Sequence, residues 1–338
     1  MLSDPSGELV VKPCKQSEID FYESTSAHCD ILPHLPRFLG KITLGSDSVT
    51  AQVAGALVLP SETNPDPPTG SGIGSTAVIA NDWAPTNGGK IQTELAVVLE
   101  NVAHGYNKPN ILDVKLGARL WADDAPAAKR TKLDKVAKET TSGPLGFRIA
   151  GMKTYQGALV SIHDSMTPDG YKVFDKMYGR RLTVNNVDEG FGDYFLLAKE
   201  ERATGPIRKV IRRFIEDLKM MQETIEKSES RMYSASLLFV YEGDRPALQD
   251  ALAIETDIIN SFEHKVSGGE AIPETNGVAN RTGNDGDLAE DGEDIKFPAI
   301  QSLKLIDFAH AEWIPGQGPD ENLLHGIRNV IKVLLDLV

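Results

Sequence analysis

A chain of 338 residues with 41% hydrophobic and 25% charged residues has the make-up of an ordinary globular protein, long enough for two lobes with a real core. Cys14 and Cys29 are its only cysteines, which excludes a disulfide framework. No apolar run reaches membrane-spanning length and the N-terminus is too polar for a signal peptide, so the expectation is a soluble intracellular protein. The net charge of −14 argues against an anionic substrate only until its distribution is read: residues 266–294 hold eight acidic residues against Arg281, half of that total. This Gly-rich stretch has almost nothing to bury and reads as a disordered insertion. The remainder is mildly acidic and can still hold a local basic pocket.

From the N-terminus, GELVVKP (7–13) reads as a short strand and SEIDFYESTSAHC (17–29) as an amphipathic helix. PSETNPDPPTGSG (60–72) is a turn-rich loop. SGIGST (71–76) looks like a Gly-rich phosphate loop, but no helix of the right kind follows it, so it reads as a turn. TAVIAND (76–82) and TELAVVLENV (93–102) are further strands.

NKPNILDVKLGARLW (107–121) places an Asp and a Lys two residues apart, behind a Pro and ahead of a Gly. Alternation puts Ile111, Asp113 and Lys115 on one face of a strand and Leu112, Val114 and Leu116 on the other. On periodicity alone this is a half-solvated strand with a surface ion pair. The competing reading is a carboxylate and an ammonium that meet one polar ligand.

Helices dominate after residue 109. PAAKRTKLDKVAKET (126–140) is one, and at about 100° per residue Lys129 and Lys132 fall beside its Leu133 and Val136 face, while Lys135 and Lys138 turn away. GPIRKVIRRFIEDLKMMQETIEK (205–227) is longer, with Pro206 in its first turn and Ile207, Val210, Ile211, Phe214, Ile215 and Leu218 at core spacing. SASLLFVYEG (234–243) and SLKLIDFAHA (302–311) are apolar strands with the acidic insertion between them. A last helix starts near Asp320, a good N-cap, and buries Leu323, Leu324, Ile327, Val330, Ile331 and Leu334. No internal repeat is present. A small strand-rich lobe with one helix and a hinge (1–104), then a larger helical lobe (105–338), is the arrangement of a kinase with a cleft at the junction.

PNILDVKLG matches P-x-x-x-D-x-K-x-G through Pro109, Asp113, Lys115 and Gly117. With SEIDFY (17–22), GFRIAGM (146–152), SASLLFVYEG and IDFAHA (306–311) in the same order, the chain resembles the inositol polyphosphate kinase family, and within it the fungal multikinases. The resemblance implies an α+β, two-lobed, protein-kinase-like or ATP-grasp-like fold of antiparallel sheets with helices. It implies a kinase that uses ATP and Mg²⁺ to phosphorylate inositol trisphosphate and tetrakisphosphate. An inositol hexakisphosphate kinase and a non-catalytic scaffold for transcription factors are the alternatives. Inositol polyphosphates and transcription regulators are the implied partners, with no nucleic acid or membrane span, for a monomer in nucleus and cytoplasm.

Residue by residue, the resemblance makes Lys12 the lysine on the nucleotide phosphates and Glu18 the acid that positions it. Glu100 and Val102 match the hinge that pairs with adenine through its backbone. Asp307, at the end of an apolar strand, matches the Mg²⁺ ligand. Asp113 matches the acid beside the ribose and the reacting hydroxyl, and Lys115 the lysine beside the transferring phosphate. Lys129, Lys132, Lys153, Lys176 and His310 occupy substrate-contact positions, whereas Arg148 reads as structural. Two departures stand out. Only eleven residues precede Lys12, where the family has a glycine-containing strand and turn over the ATP phosphates, so the expectation is either that Met1 is not the natural start or that the loop is lost, with a weaker phosphate grip and reduced activity. There is also no HRD catalytic-loop motif, which leaves the general base unassigned.

Overall fold

The computed structural model describes residues 2–43, 93–157, 166–199, 201–267 and 297–338. A first antiparallel sheet comprises β1 (Leu2–Ser3), β2 (Leu9–Pro13), β3 (Phe38–Thr43) and β4 (Leu95–Glu100), in the order β1-β2-β4-β3. Helix α1 (Gln16–Ser24) follows β2. The strands from residue 109 onward are β5 (Pro109–Leu116), β6 (Phe147–Tyr155), β7 (Tyr171–Phe174), β8 (Ser230–Met232), β9 (Ser236–Glu242), β10 (Gln301–Ile306) and β11 (Ala311–Trp313). Five of them form a second antiparallel sheet, β10-β9-β5-β6-β7, and β8 pairs with β11. The helices are α2 (Ala127–Lys138), α3 (Ser142–Leu145), α4 (Lys176–Arg181), α5 (Val187–Phe195), α6 (Gly205–Lys227), α7 (Arg245–Ser267) and α8 (Glu321–Asp336). Among the described residues none is long and apolar enough to cross a membrane.

The core lies between the second sheet and α5, α6 and α8. Leu112, Val114 and Leu116 present one face of β5 to it and are fully buried. Each such side chain contributes roughly 1.5–3 kcal/mol when taken from water. α6 and α8 bury the apolar residues that their spacing predicts, and the Asp320 carboxylate caps α8 by accepting from Leu323 N at 2.9 Å. Gly117 ends β5 at φ +96°, and a Cβ there would lie 2.7 Å from Asn322 Nδ2 at the start of α8, so the signature glycine answers to packing as well as to backbone.

Several expectations need correction. β5 is no half-solvated strand: Asp113 is 1% and Lys115 6% exposed, because β9 and β6 flank it. α1 stops at Ser24 and gives way to tight 3₁₀ turns over 25–27 and 29–34. A glycine-containing turn does precede Lys12, since β1 pairs with β2 and Gly7 turns the chain at φ +76°. α7 continues through Ser267, so residues 266 and 267 belong to a helix rather than to the acidic insertion. The rest of that insertion, 268–294, and the segments read at 60–72, 71–76 and 76–82 lie outside the described residues.

Candidate active site

The site forms where the two sheets face each other. β5 pairs with β9 without interruption, so Asp113 and Lys115 keep to one face; the register with β6 shifts between Asp113 and Val114. Lys115 Nζ donates to Ser234 O at 2.8 Å and lies 3.4 Å from Asp307 Oδ2. Ser234 and Asp307 have φ of +60° and +70°, two of the three positive values at non-glycine residues among the described ones. Such backbone costs of order 1–3 kcal/mol and persists where surrounding contacts over-determine it. Here one buried ammonium holds both turns.

From the first sheet, Lys12 Nζ reaches Asp307 Oδ1 at 2.6 Å and Glu18 Oε1 of α1 at 2.8 Å. Glu18, Lys12, Asp307 and Lys115 thus form one chain of alternating charge across the cleft. Burial alone would raise the Asp307 carboxyl, but Lys12 and Lys115 outweigh it and hold its pKa at about 2. Burial likewise opposes the Lys12 ammonium, and the Asp307 and Glu18 charges overcome it, raising Lys12 above the ordinary lysine range. Asp113 differs. Burial pushes its carboxyl up against the pull of Lys115 and of the neighbouring Ser236 hydroxyl.

The lysines expected to contact substrate divide. Lys129 Nζ lies 3.1 Å from His310 Nε2; an ammonium only donates, so Nε2 accepts and His310 is neutral. Burial, followed by the Lys129 charge, holds the His310 pKa below its ordinary value. Lys153 lies on β6 opposite Ile111 with its Nζ 4.0 Å from the Tyr171 ring centroid, its pKa lowered by burial. Lys176 opens α4, half-buried, behind the Asp175 cap. Lys132 is exposed, because Ala137 is the only residue that α2 buries and Leu133 and Val136 sit half in solvent. Arg148 is buried and donates to Ser142 Oγ at 2.8 Å, an anchor for α3.

At the other end, Glu100 closes β4 and Val102 lies in the turn after it, beside a cavity of about 720 Å³ lined also by Tyr106, Glu242, Ile254 and Ser302. Sequence reasoning passed over Lys304 here. It is 3% exposed on β10, donates to Pro33 O at 3.1 Å and lies 3.8 Å from Glu100 Oε1. A lysine between Leu303 and Leu305 in an apolar strand was the available signal. Ser234 and Ser236 gave none, because a serine is unremarkable in sequence until its backbone angle or its neighbours in the fold are seen.

Among the described residues no three His, Cys, Asp or Glu side chains gather as a metal cage. A hard divalent cation needs fewer where phosphates supply the rest, and Asp307 suits that role with an ionised carboxylate whose side chain is 32% exposed.

Comparison with known proteins gives this geometry a family. The chain is 28% identical to the inositol polyphosphate multikinase of Saccharomyces cerevisiae, an alignment that covers 99% of this chain and 94% of that one. It is 26% identical to the multikinase of Schizosaccharomyces pombe, over 98% and 91% of the two chains. Its fold matches the crystal structure of the S. cerevisiae inositol phosphate multikinase in complex with ADP and Mn²⁺, with a TM-score of 0.62 and 26% identity over 97% of this chain and 98% of that one. Residues 96–335, from β4 through nearly all of α8, match the model of the inositol polyphosphate kinase family, and the chain belongs to that family.

Proposed function

We propose that this chain transfers the γ-phosphoryl group of ATP to hydroxyls of inositol phosphates, carrying the trisphosphate and tetrakisphosphate to higher phosphates. One observation carries the reading. Two ammoniums, Lys12 and Lys115, converge from opposite sheets on an Asp307 carboxylate that stays ionised down to about pH 2, beside the buried Asp113. Cations converging on one metal-competent carboxylate are what a transferring phosphoryl group requires. Similarity to the two fungal multikinases, and to a fold seen with ADP and Mn²⁺, supports it.

In this reading Lys12, oriented by Glu18, holds the nucleotide phosphates, and the backbone of Glu100 and Val102 pairs with the adenine edge. Asp307 would hold Mg²⁺, which would supply charge neutralisation for the nucleotide phosphates. Lys115 faces the charge that develops on the transferring group, and Asp113 aligns the polar groups beside it. Preorganisation is the main contribution, since the contact of Lys115 with Ser234 O fixes the ammonium in place. Lys129 and His310 form part of the substrate wall, with Lys132, Lys153 and Lys176 as its further contacts.

Product analysis with labelled ATP and defined inositol tris-, tetrakis- and hexakisphosphates tests this. The expected products carry additional phosphate monoesters on the tris- and tetrakisphosphate. Transfer to hexakisphosphate alone would convert the reading to a pyrophosphate-forming kinase, and transfer to none would overturn it.

A further inference from the structure

Phe308, the residue after Asp307, is wholly buried, and its ring stacks on Phe21 of α1 with centroids 4.6 Å apart and planes 23° apart. Phe21 stacks on Trp313 of β11 at 5.3 Å, and Trp313 on the exposed His28 at 3.6 Å. Tyr22 packs edge-on against Phe308 at 5.3 Å and stacks on Phe38 of β3. Two hydrogen bonds fasten the same parts: Trp313 Nε1 donates to Ser24 Oγ at 2.9 Å, and Ser17 Oγ donates to Ala309 O at 2.8 Å.

This column joins the two segments that carry the two acids of the charge network. α1 carries Glu18, while the segment from 307 to 313 carries Asp307, and Lys12 bonds to both. Asp307 needs outside support in any case, because its φ of +70° is unfavourable for a residue with a side chain. A ring clamped on two sides at the next position provides it. A column that only filled the core would have no reason to run from the metal-competent carboxylate, through the acid-bearing helix, to the surface.

We propose that Phe21 and Trp313 are positioning residues, which hold α1 and the 307–313 segment as one body so that Glu18, Lys12 and Asp307 are in register before nucleotide arrives. The inference rests on the proposed function only where turnover is measured. Trp313→Leu keeps an apolar side chain but removes the stacking face, and Trp313→Phe restores it. Two readouts are compared: Mn²⁺ titration by electron paramagnetic resonance in the presence of ADP, and steady-state kinetics. In Trp313→Leu the Mn²⁺ dissociation constant rises, kcat falls about tenfold to a hundredfold, as misplacement remote from the chemistry does, and the KM for inositol phosphate stays put. Trp313→Phe recovers both quantities. A folded Trp313→Leu with wild-type Mn²⁺ affinity and kcat overturns the proposal, as does a loss that Trp313→Phe fails to rescue. Should Trp313→Leu not fold, Phe21→Leu carries the same expectation and the same overturning result. If the wild-type protein binds Mn²⁺ with ADP yet phosphorylates no inositol phosphate, the functional reading falls, and the Mn²⁺ comparison still decides on the column.

Discussion

The cleft has two sets of charges, and they are built on opposite terms. On the sheet side, Lys12 and Lys115 are countered by Glu18 and Asp307 at 2.6 to 3.4 Å. On the helix side, α2 presents Lys129 to a neutral imidazole and leaves Lys132, Lys135 and Lys138 exposed, with a long 3.8 Å contact from Lys135 to Glu139. Buried charge tolerates almost no change in partner, because a bare ion in low dielectric is costly. Charge left in water is individually weak and salt-screened, but it can meet a polyanion whose phosphates vary in position. One set suits a reaction that is always the same, and the other a substrate that gains phosphates as it is processed.

Asp307→Asn is the strongest test of the compensated side. Asn tolerates positive φ and keeps the shape, so the fold should survive while the charge facing Lys12 and Lys115 is lost. Turnover is expected to fall about a thousandfold or more, the scale for loss of a main electrostatic group, and labelled phosphoryl transfer measures it. Wild-type rates would remove Asp307 from the site. Next, Lys115→Met strips the ammonium from two left-handed turns and leaves Asp307 with one partner. Denaturant unfolding should show a loss of about 3 kcal/mol, in the range for breaking a buried pair. A loss below 1 kcal/mol would mean that the network is less buried in solution than its geometry indicates.

The helix side should respond in kinetics rather than stability. Replacing Lys129 and Lys132 with Ala should raise the inositol-phosphate KM about tenfold, since one charge-assisted contact contributes roughly 1.5–3 kcal/mol, and the effect should shrink at high salt. The KM for ATP should not move; a rise there instead would place these lysines on the nucleotide. The single variants sharpen this, with Lys129→Ala giving most of the effect. A subtler change concerns His310. Its depressed pKa means that the unfolded chain takes up the proton first, so stability falls as pH drops below about 6.5. Lys129→Ala removes a cause of that depression, so the imidazole should titrate at higher pH by NMR and the acid loss of stability should lessen. An unchanged titration would break the Lys129–His310 contact. Smallest of all, Lys132→Met should alter unfolding free energy by no more than about 0.5 kcal/mol, the scale of an exposed substitution.

Legibility followed the strength of the local pattern. α6 and α8 could be read because a strong apolar stripe recurs at helical spacing and every predicted core residue on it is buried. α7 escaped notice because its packed face is thin: Leu248, Ala251 and Leu252 share it with Glu255, which is buried by pairing with Arg213. α2 misled about Lys132 because Leu133 and Val136 define a stripe too weak to fix which side packs. Motif spacing singled out Asp113, Lys115 and Asp307, which the fold gathers into one cluster. It could not show the left-handed backbone at Ser234 and Asp307, the Ser236 hydroxyl beside Asp113 or the ring column. Those arise from contacts between residues far apart in sequence.

That remoteness has a consequence for how the molecule is made. Lys115 waits for Ser234, 119 residues later in the chain, and for Asp307, 192 residues later. At translation rates of roughly 5–20 residues per second, the gap to Asp307 lasts on the order of ten to forty seconds. For the first part of that interval β5, the middle strand of its sheet, lacks its β9 neighbour and Lys115 lacks Ser234, and until its end Lys115 lacks the Asp307 carboxylate. The strand with the signature emerges early and can pair with β6 soon after, but its other edge is completed only late, so a growing chain must keep that edge of β5 shielded until β9 has been synthesised.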